Sequence, residues 1–144
     1  LVHFGAADFI RDVGMDWSRD ETELLYARSR LAIVSKVAKL DPPIDSPWLR
    51  LDDQEGLKRS ITGSRALGFQ GKLCIHPKQV SIVNWGFTDV SSNKLAYAKK
   101  IVEEFNTAER KGIAALVVDG QFVDYPVVEN ARTLLELDKT QGGF

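Results

Sequence analysis

The apolar residues of this chain follow two patterns, one with helical spacing and one of short continuous runs. In the helical pattern, apolar residues are separated by three or four positions and polar residues lie between them. Its members are Leu24, Ala27, Leu31, Val34 and Ala38; Leu57, Ile61 and Leu67; Val80 and Val83; Leu95, Ala98, Val102, Phe105 and Ala108; and Val128, Ala131 and Leu135. Each set predicts a helix that buries one face.

Capping residues predict where these helices begin. Asp20, followed three residues later by Glu23, has the spacing of a capping box and predicts the start of the first long helix. Asp52 and Glu55 predict the start of the second long helix. Pro77 can occupy the first turn of the next helix, because proline lacks the amide hydrogen that this turn leaves unpaired.

Short apolar runs alternate with the first helices and predict β-strands. They are "LVHFGA", the apolar end of "DPPIDSPWLRL", whose prolines forbid a helix, and "GKLCI", which suits a strand of about five residues. Alternating strands and helices imply a parallel sheet with helices packed outside it. Because three strands can neither close a barrel nor cover both faces of such a sheet, we expect the C-terminal part of a larger α/β protein.

The last part of the sequence has a different pattern. Two apolar runs in "AALVVDGQFVDYPVV" are joined by Asp119 and Gly120, a pair that favours a tight hairpin turn. Asp124 and Pro126 then predict the start of a final helix. We therefore expect a hairpin and a helix after the parallel part of the fold.

Composition limits the function without identifying it. The chain has 144 residues, and 44% hydrophobic with 27% charged residues is ordinary for a globular protein. The net charge of −1 argues against a nucleic-acid partner but is compatible with a small anionic ligand. No apolar run approaches the roughly 20 residues of a membrane span. The single cysteine, Cys74, lies in an apolar stretch, so we expect a buried thiol in a reducing compartment.

Candidate reactive groups follow the predicted strands, because the loops at the carboxyl ends of parallel strands meet at a common mouth. Asp8, Asp45 or Asp52, and His76 occupy these positions. Asp8 is the best metal-ligand candidate, since Mg²⁺ prefers carboxylates and water and usually takes one or two protein ligands. The small side chains of the preceding Gly5–Ala7 segment let backbone N–H groups approach a substrate carboxylate.

Each candidate also has a purely structural interpretation. Asp8 and Asp124 could cap helices, and His76 could be a strand-end residue that is hydrogen-bonded to the backbone. The "RSR" at residues 28–30 could bind phosphate, but in an amphipathic helix such residues are more often on a solvated face. Asp124, next to Tyr125, could instead belong to a lid that carries a proton-transfer group. The common nucleotide-binding and serine-hydrolase motifs are absent from the sequence.

Several motifs, taken together, resemble a known family. "FGAADF", "ELLYARSR", "GFQGKLCIHPKQV" and "DGQFVDYPVVENAR", in this order, are similar to the citrate lyase β-subunit-like family of acyl-CoA lyases, within the HpcH/HpaI aldolase and citrate lyase superfamily. The resemblance implies an α/β fold of the (β/α)8 TIM-barrel type. Residues 1–112 would form its C-terminal part, with about the last three strands and their helices, and residues 113–144 a C-terminal hairpin and helix that serve as lid and oligomerisation segment.

The resemblance also implies a reaction. Proteins of this kind use Mg²⁺ to bind a 2-keto or 2-hydroxy acid, and they make or break a carbon–carbon bond to the acetyl end of a coenzyme A thioester. The implied substrate is of the malyl-CoA, citramalyl-CoA or citryl-CoA type, which gives acetyl-CoA or a similar thioester plus a 2-keto acid. The alternatives are a malyl-CoA-type thioesterase on the same scaffold and a non-catalytic α/β binding module.

Individual residues match the site of this family. The resemblance implies that Asp8 is the metal ligand and that Asp124 is the catalytic proton donor or acceptor, delivered to a neighbouring subunit in a homotrimer or hexamer. The predicted substrate-binding residues are Gly5, Ala6, Ala7, His76 and Pro77. The family's second metal ligand, a Glu, and its substrate-binding Arg lie on earlier strands, so we expect the chain alone to be inactive. The expected location is the cytoplasm, or the mitochondrial matrix in a eukaryote.

Overall fold

The structure, a computed structural model, describes residues 1–88 and 92–141 and has an α/β fold. The chain divides into two compact units, Leu1–Asp89 and Val90–Phe144. The first contains α1 (Ala6–Val13), a 3₁₀ turn (Thr22–Leu24), α2 (Leu25–Val37), β1 (Ile44–Asp45), α3 (Gln54–Ala66), β2 (Gly71–Lys72) and α4 (Pro77–Thr88). The second contains α5 (Ser92–Glu109), β3 (Leu116–Val118), β4 (Gln121–Val123) and α6 (Tyr125–Gln141). None of the helices among the described residues is both long and apolar enough to cross a bilayer.

Short segments of the first unit run parallel to one another. β1 pairs with β2, with Ile44 opposite Gly71. Along its other edge, β1 meets the beginning of the chain through a parallel bridge between His3 and Ile44. Backbone hydrogen bonds from Phe4 N to Ile44 O and from Ile44 N to Val2 O, both 2.9 Å long, complete this pairing. The predicted parallel order of the three segments is therefore confirmed.

The strands are shorter than predicted, and one of them lies elsewhere. In the proline-rich segment the strand is Ile44–Asp45 rather than the apolar end, because both residues pair with β2 and Ile44 also pairs with the first segment. β2 is only 2 residues long, and the pairing ends with a hydrogen bond of 2.9 Å from Leu73 N to Asp45 O. Beyond this point Cys74 is exposed, so the prediction of a buried thiol was wrong.

The residues that precede α2 and α3 differ from the predicted caps. The capping box of Asp20 and Glu23 does not form, because Glu23 accepts hydrogen bonds from the Ser18 amide and hydroxyl at 2.9 and 2.6 Å. The 3₁₀ turn before α2 has no side-chain cap. α3 begins one residue later than expected, after Asp53, whose carboxylate accepts the Gly56 N–H at 2.9 Å.

α2 buries a face different from the predicted one. Leu24 is fully buried just before this helix and Leu31 packs against the same cluster, but Val34 is exposed. Arg28 and Ser35 are buried instead. Together with Leu24 and Leu31, these two polar residues repeat every three or four positions, so they form one continuous stripe along the helix.

Two apolar clusters stabilise the first unit. The buried members of one, around α1 and the turn before α2, are Phe4, Ala6, Ile10, Leu24 and Phe69. Those of the other, around α3 and α4, are Trp48, Leu57, Ile61 and Val83. Gly86 permits close packing of these two helices, since a Cβ there would lie 2.5 Å from Ile61 Cγ2. Burying each large apolar side chain contributes about 1.5–3 kcal/mol.

The second unit has its own core, shared by α5, the hairpin and α6. Its buried members are Ala98, Ile101, Phe105, Val118, Val123, Val128 and Ala131. β3 and β4 are antiparallel, and Asp119 and Gly120 between them have φ values of 48° and 81°. Both values are typical of a type I′ turn, so the predicted hairpin is confirmed. The compact units divide before α5, whereas the functional division after residue 112 stays a prediction.

Candidate functional site

Asp8 lies in the first turn of α1, directly after the first parallel segment. Its side chain is 75% exposed, and its Oδ1 lies 3.2 Å from Arg11 Nη1. An exposed pair of this kind contributes at most about 1 kcal/mol, so a metal ion can displace the guanidinium. Gly5 occupies the N-cap position of α1 without a side-chain cap, so Asp8 is not the capping residue of this helix.

The backbone at the start of α1 presents amide groups beside this carboxylate. Ala6 donates its N–H to Ser46 Oγ at 2.6 Å, so this group is not available to a ligand. Among the described residues, no acceptor pairs with the N–H groups of Ala7 and Asp8, since the first turn of a helix leaves such groups without intrahelical partners. A Cβ at Gly5 would lie 3.8 Å from Asp8 Oδ2, so the carboxylate is next to this turn. The geometry suits an anionic ligand.

His76 and Pro77 form the N-terminal end of α4, which begins at Pro77 as predicted. His76 Nδ1 accepts the Lys78 N–H at 3.1 Å, and the His76 carbonyl accepts the Gln79 N–H at 3.0 Å. An accepting Nδ1 places the proton of a neutral imidazole on Nε2. This geometry matches the interpretation of His76 as a strand-end residue bound to the backbone, and substrate binding by His76 and Pro77 stays a prediction.

Asp124 lies between β4 and α6, in the second unit, whereas Asp8 belongs to the first. Its Oδ1 accepts the Val127 N–H at 3.4 Å, and its carbonyl accepts the Val128 N–H at 3.0 Å. Asp124 is therefore placed as the N-cap of α6, the structural role that the sequence left open. No described residue donates a hydrogen bond to its Oδ2, and a catalytic role of Asp124 stays a prediction.

The hairpin before α6 is anchored to α5 by polar contacts. Lys100 Nζ lies 2.5 Å from Asp119 Oδ1, and this hydrogen bond raises the pKa of Lys100. The Tyr97 hydroxyl donates towards Val118 O at 3.3 Å and Gln121 Oε1 at 2.8 Å. The turn is thus held within its own unit, and a role of residues 113–144 as a lid stays a prediction.

A buried ionic network that the sequence did not predict joins α2 to the parallel strands. Arg28 donates two hydrogen bonds of 3.0 Å to Asp45, and Lys72 Nζ lies 2.6 Å from the same carboxylate. Arg28 also donates to Glu21 at 3.0 Å, and the Ser60 hydroxyl donates to Glu21 at 2.6 Å. The side chains of Asp45 and Lys72 have 0% exposure, and that of Arg28 has 5%.

This network corrects the prediction of a solvated face for Arg28, which is buried by its pairing with carboxylates, whereas Arg30 of "RSR" is exposed as predicted. Burial lowers the pKa of Lys72, although the carboxylate of Asp45 opposes that shift. Two features of the sequence are consistent with the network once the pairing of the strands is known. Asp45 and Lys72 have opposite charges at the ends of neighbouring strands, and Arg28 follows the buried Leu24 by one helical turn. Asp45 and Lys72 have no exposed side-chain area and pair with each other at the ends of the two strands.

A complete metal site is not present in the part of the chain that the structure describes. There, no group of three or more His, Cys, Asp or Glu residues is placed to hold a metal ion. The exposed carboxylate of Asp8 is of the type that binds Mg²⁺, since one or two carboxylates together with water and substrate oxygens often suffice for this ion. Metal binding by Asp8, and a second ligand supplied from elsewhere in the enzyme, stay predictions.

Comparisons with known proteins all find similarity to citrate lyase-type proteins. A family model described as HpcH/HpaI aldolase/citrate lyase matches residues 1–77. A citrate lyase subunit beta-like protein of Deinococcus radiodurans is 36% identical over 137 residues, which cover 93% of this chain and 46% of that protein. The mitochondrial citramalyl-CoA lyase of Rattus norvegicus is 30% identical over 136 residues, which cover 94% of this chain and 40% of that protein.

A solved structure has a similar fold. It is the crystal structure of protein CitE from Mycobacterium tuberculosis in complex with magnesium, acetoacetate and coenzyme A. The TM-score is 0.76 at 28% identity, and the match covers 95% of this chain and 51% of that chain. The chain therefore spans about half the length, or less, of the relatives that it matches.

Proposed function

Because this chain belongs to the HpcH/HpaI aldolase/citrate lyase family, we propose that it is part of a Mg²⁺-dependent acyl-CoA lyase. The proposed reaction breaks or forms the carbon–carbon bond between the acetyl end of a coenzyme A thioester and a 2-keto acid. Malyl-CoA, citramalyl-CoA and citryl-CoA are the candidate substrates. The names of the two relatives and the magnesium, acetoacetate and coenzyme A in the CitE structure support this substrate class.

The observation that carries the proposal is the exposed Asp8 carboxylate beside the amides of Ala7 and Asp8. A carboxylate is a ligand that Mg²⁺ prefers, and amides at a helix N-terminus bind anions. We assign Asp8 to the metal, and the amides at the start of α1 to the carboxylate of the 2-keto acid. Gly5 and Ala6 shape this turn, and the Ala6 amide does so through Ser46 because it is already hydrogen-bonded there.

The proposed chemistry uses two carboxylates, those of Asp8 and Asp124. Asp8 would hold Mg²⁺, which when bound would act as a Lewis acid towards the hydroxyl or keto oxygen of the substrate. In the cleavage direction the substrate hydroxyl loses its proton to solvent and becomes the keto oxygen, and the electron pair of the broken carbon–carbon bond stays on the acetyl carbon. This carbon takes up a proton, for which Asp124 is the proposed donor. In the reverse direction the same carboxylate removes a proton from the acetyl methyl group. His76 and Pro77 are proposed to contact the substrate at the start of α4.

The chain is proposed to supply the last three strands of a (β/α)8 barrel, with residues 113–144 as a lid. The parallel order of the strand segments and the share of each relative that the chain covers support this assignment. In this scheme a Glu ligand and a substrate-binding Arg come from elsewhere in the enzyme. The lid delivers Asp124 to a neighbouring subunit of a homotrimer or hexamer, and the isolated chain is inactive.

An assay of the complete polypeptide that contains this chain tests the proposal. Malyl-CoA, citramalyl-CoA and citryl-CoA are each incubated with Mg²⁺ or with EDTA, and the products are separated by chromatography. A lyase gives equal amounts of a 2-keto acid and acetyl-CoA (or a similar thioester), and EDTA abolishes both. Free coenzyme A without a 2-keto acid would identify a thioesterase, and no turnover of any thioester with Mg²⁺ would refute the proposed function.

A further inference from the structure

One side chain from the neighbouring strand holds the turn between the first parallel segment and α1. Ser46 directly follows β1 and is 1% exposed. Its Oγ accepts the Ala6 N–H at 2.6 Å, and its hydroxyl donates to the Phe4 carbonyl at 2.5 Å. These two backbone groups flank Gly5, so a single hydroxyl fixes the backbone on both sides of that residue.

Ser46 is itself fixed by its neighbours. Adjacent side chains of a strand point to opposite sides, and the hydrogen bonds direct Ser46 to the α1 turn and Asp45 to α2. Asp45 is anchored by Arg28 and by Lys72. Pro47 restricts the backbone of Ser46 to extended conformations. The hydroxyl therefore has a defined position relative to the strands.

The Ser46 hydroxyl determines which amides a ligand can use. It occupies the N–H of Ala6 and leaves those of Ala7 and Asp8 at the start of the helix. Without it, the buried Ala6 N–H would lack an acceptor, and the turn would rotate or admit water to satisfy this group. Because the Asp8 carboxylate lies beside Gly5, such a rotation would also move the carboxylate.

We propose that Ser46 is a positioning residue, whose hydroxyl orients the Gly5–Asp8 turn so that the Asp8 carboxylate and the Ala7 and Asp8 amides face the same ligand. This inference rests on the proposed function and adds to it a residue that contacts neither metal nor substrate. Ser46 is separated from its partners Ala6 and Phe4 by 40 and 42 residues in sequence, so no local motif reveals its role.

Ser46→Ala in the complete protein tests the inference. We expect a roughly tenfold rise in the KM for the acyl-CoA substrate and in the Mg²⁺ concentration for half-maximal rate, with a smaller effect on kcat. Ser46→Thr keeps the hydroxyl and should restore both values towards those of the wild type. Ser35→Ala is the matched control, because Ser35 is 2% exposed and its hydroxyl has no partner among the described residues. It should change neither value.

Hydrogen exchange at the Ala6 amide gives a readout that does not depend on activity. Ser46→Ala should accelerate this exchange about tenfold or more, while Ser46→Thr and Ser35→Ala should not. Unchanged exchange in Ser46→Ala would show that the inference is wrong. Lower thermal stability with unchanged KM and Mg²⁺ dependence would also overturn it, since Ser46 would then be only structural. If the wild type shows no Mg²⁺-dependent turnover, the proposed function fails, and the exchange rate alone decides whether Ser46 orients the turn.

Discussion

The two arginines of "RSR" should differ sharply in their effect on stability. Arg28→Met removes the guanidinium that donates to both Asp45 and Glu21, while a methionine retains much of the apolar length of the side chain. Arg30 lies on the same helix and is exposed. Arg30→Met is therefore a control with the same change of residue, charge and helix propensity.

The size of the effect follows from the charges that remain. Without Arg28, the buried carboxylates of Asp45 and Glu21 are left with Lys72 as the cation of the network. Removing one partner of a buried ion pair lowers the free energy of unfolding by about 3–5 kcal/mol, whereas substituting an exposed residue changes it by at most about 0.5 kcal/mol. Arg28→Lys keeps the charge but loses the bidentate geometry, so we expect an intermediate loss of about 1–2 kcal/mol.

Urea unfolding followed by tryptophan fluorescence measures these differences, because Trp17, Trp48 and Trp85 all lie in the first unit. With an m-value of about 2 kcal/mol/M, Arg28→Met should lower the unfolding midpoint by about 2 M. Arg30→Met should lower it by less than about 0.3 M. Equal midpoints for the two variants would refute the reasoning, since they would show that the buried network does not stabilise the unit.

Two other pairs of variants test separate parts of the fold. Asp53→Ala should lower the urea midpoint because Asp53 caps α3, whereas Asp52→Ala should leave it unchanged. The hydrogen bond from the Gly56 N–H lowers the pKa of Asp53 below its ordinary value of 3.8. The loss of stability in Asp53→Ala should therefore be complete above pH 3.8 and should vanish as the pH falls through the pKa of Asp53 in the folded state. A loss that persisted in strong acid would contradict this cause. Gly120→Ala should destabilise the second unit by about 1 kcal/mol, since its φ is 81°. Gly63→Ala, in α3 with open space around the new Cβ, should stabilise the first unit by about 0.5–1 kcal/mol. Calorimetry that gave both glycine variants the same sign would contradict the backbone assignment.

Features that depend on neighbouring residues were predictable from the sequence. The Asp119–Gly120 turn needs only two residues that tolerate positive φ, and the start of α4 at Pro77 needs only a proline without an amide hydrogen. The cap of α3 was misplaced by one residue because Asp52 and Asp53 are adjacent and chemically identical. Local chemistry selects the element but does not always select its first residue.

Features that depend on distant residues were not predictable. Arg28 is buried because Asp45, 17 residues later, accepts its hydrogen bonds. The apolar repeat of α2 predicted that the position before Arg28 lies on the buried face. The ion pair with Asp45 buries Arg28 itself, so the buried face is shifted by one residue. The strand at Ile44–Asp45 is likewise selected by backbone pairing with His3 and with β2 and not by its own apolar content.

The candidate site was predictable in part. The position of Asp8 directly after the first parallel segment was predicted and is confirmed, whereas its role as a reactive group stays a prediction. The sequence could not show that Ser46 occupies the Ala6 amide, since this contact spans 40 residues. Nor does position decide the role of Asp124, because a single carboxylate can both cap a helix and transfer a proton.

The most direct test of the central claim is the Mg²⁺ dependence of Asp8→Asn, with Asp12→Asn as its matched control. Asp12 lies on the same helix, is 69% exposed and lies 3.1 Å from the same arginine, Arg11. In the complete enzyme, Asp8→Asn should abolish turnover or raise the Mg²⁺ concentration for half-maximal rate by about a hundredfold or more, because a metal ligand is lost. Asp12→Asn should match the wild type. If both variants respond to Mg²⁺ as the wild type does, Asp8 is not the metal ligand.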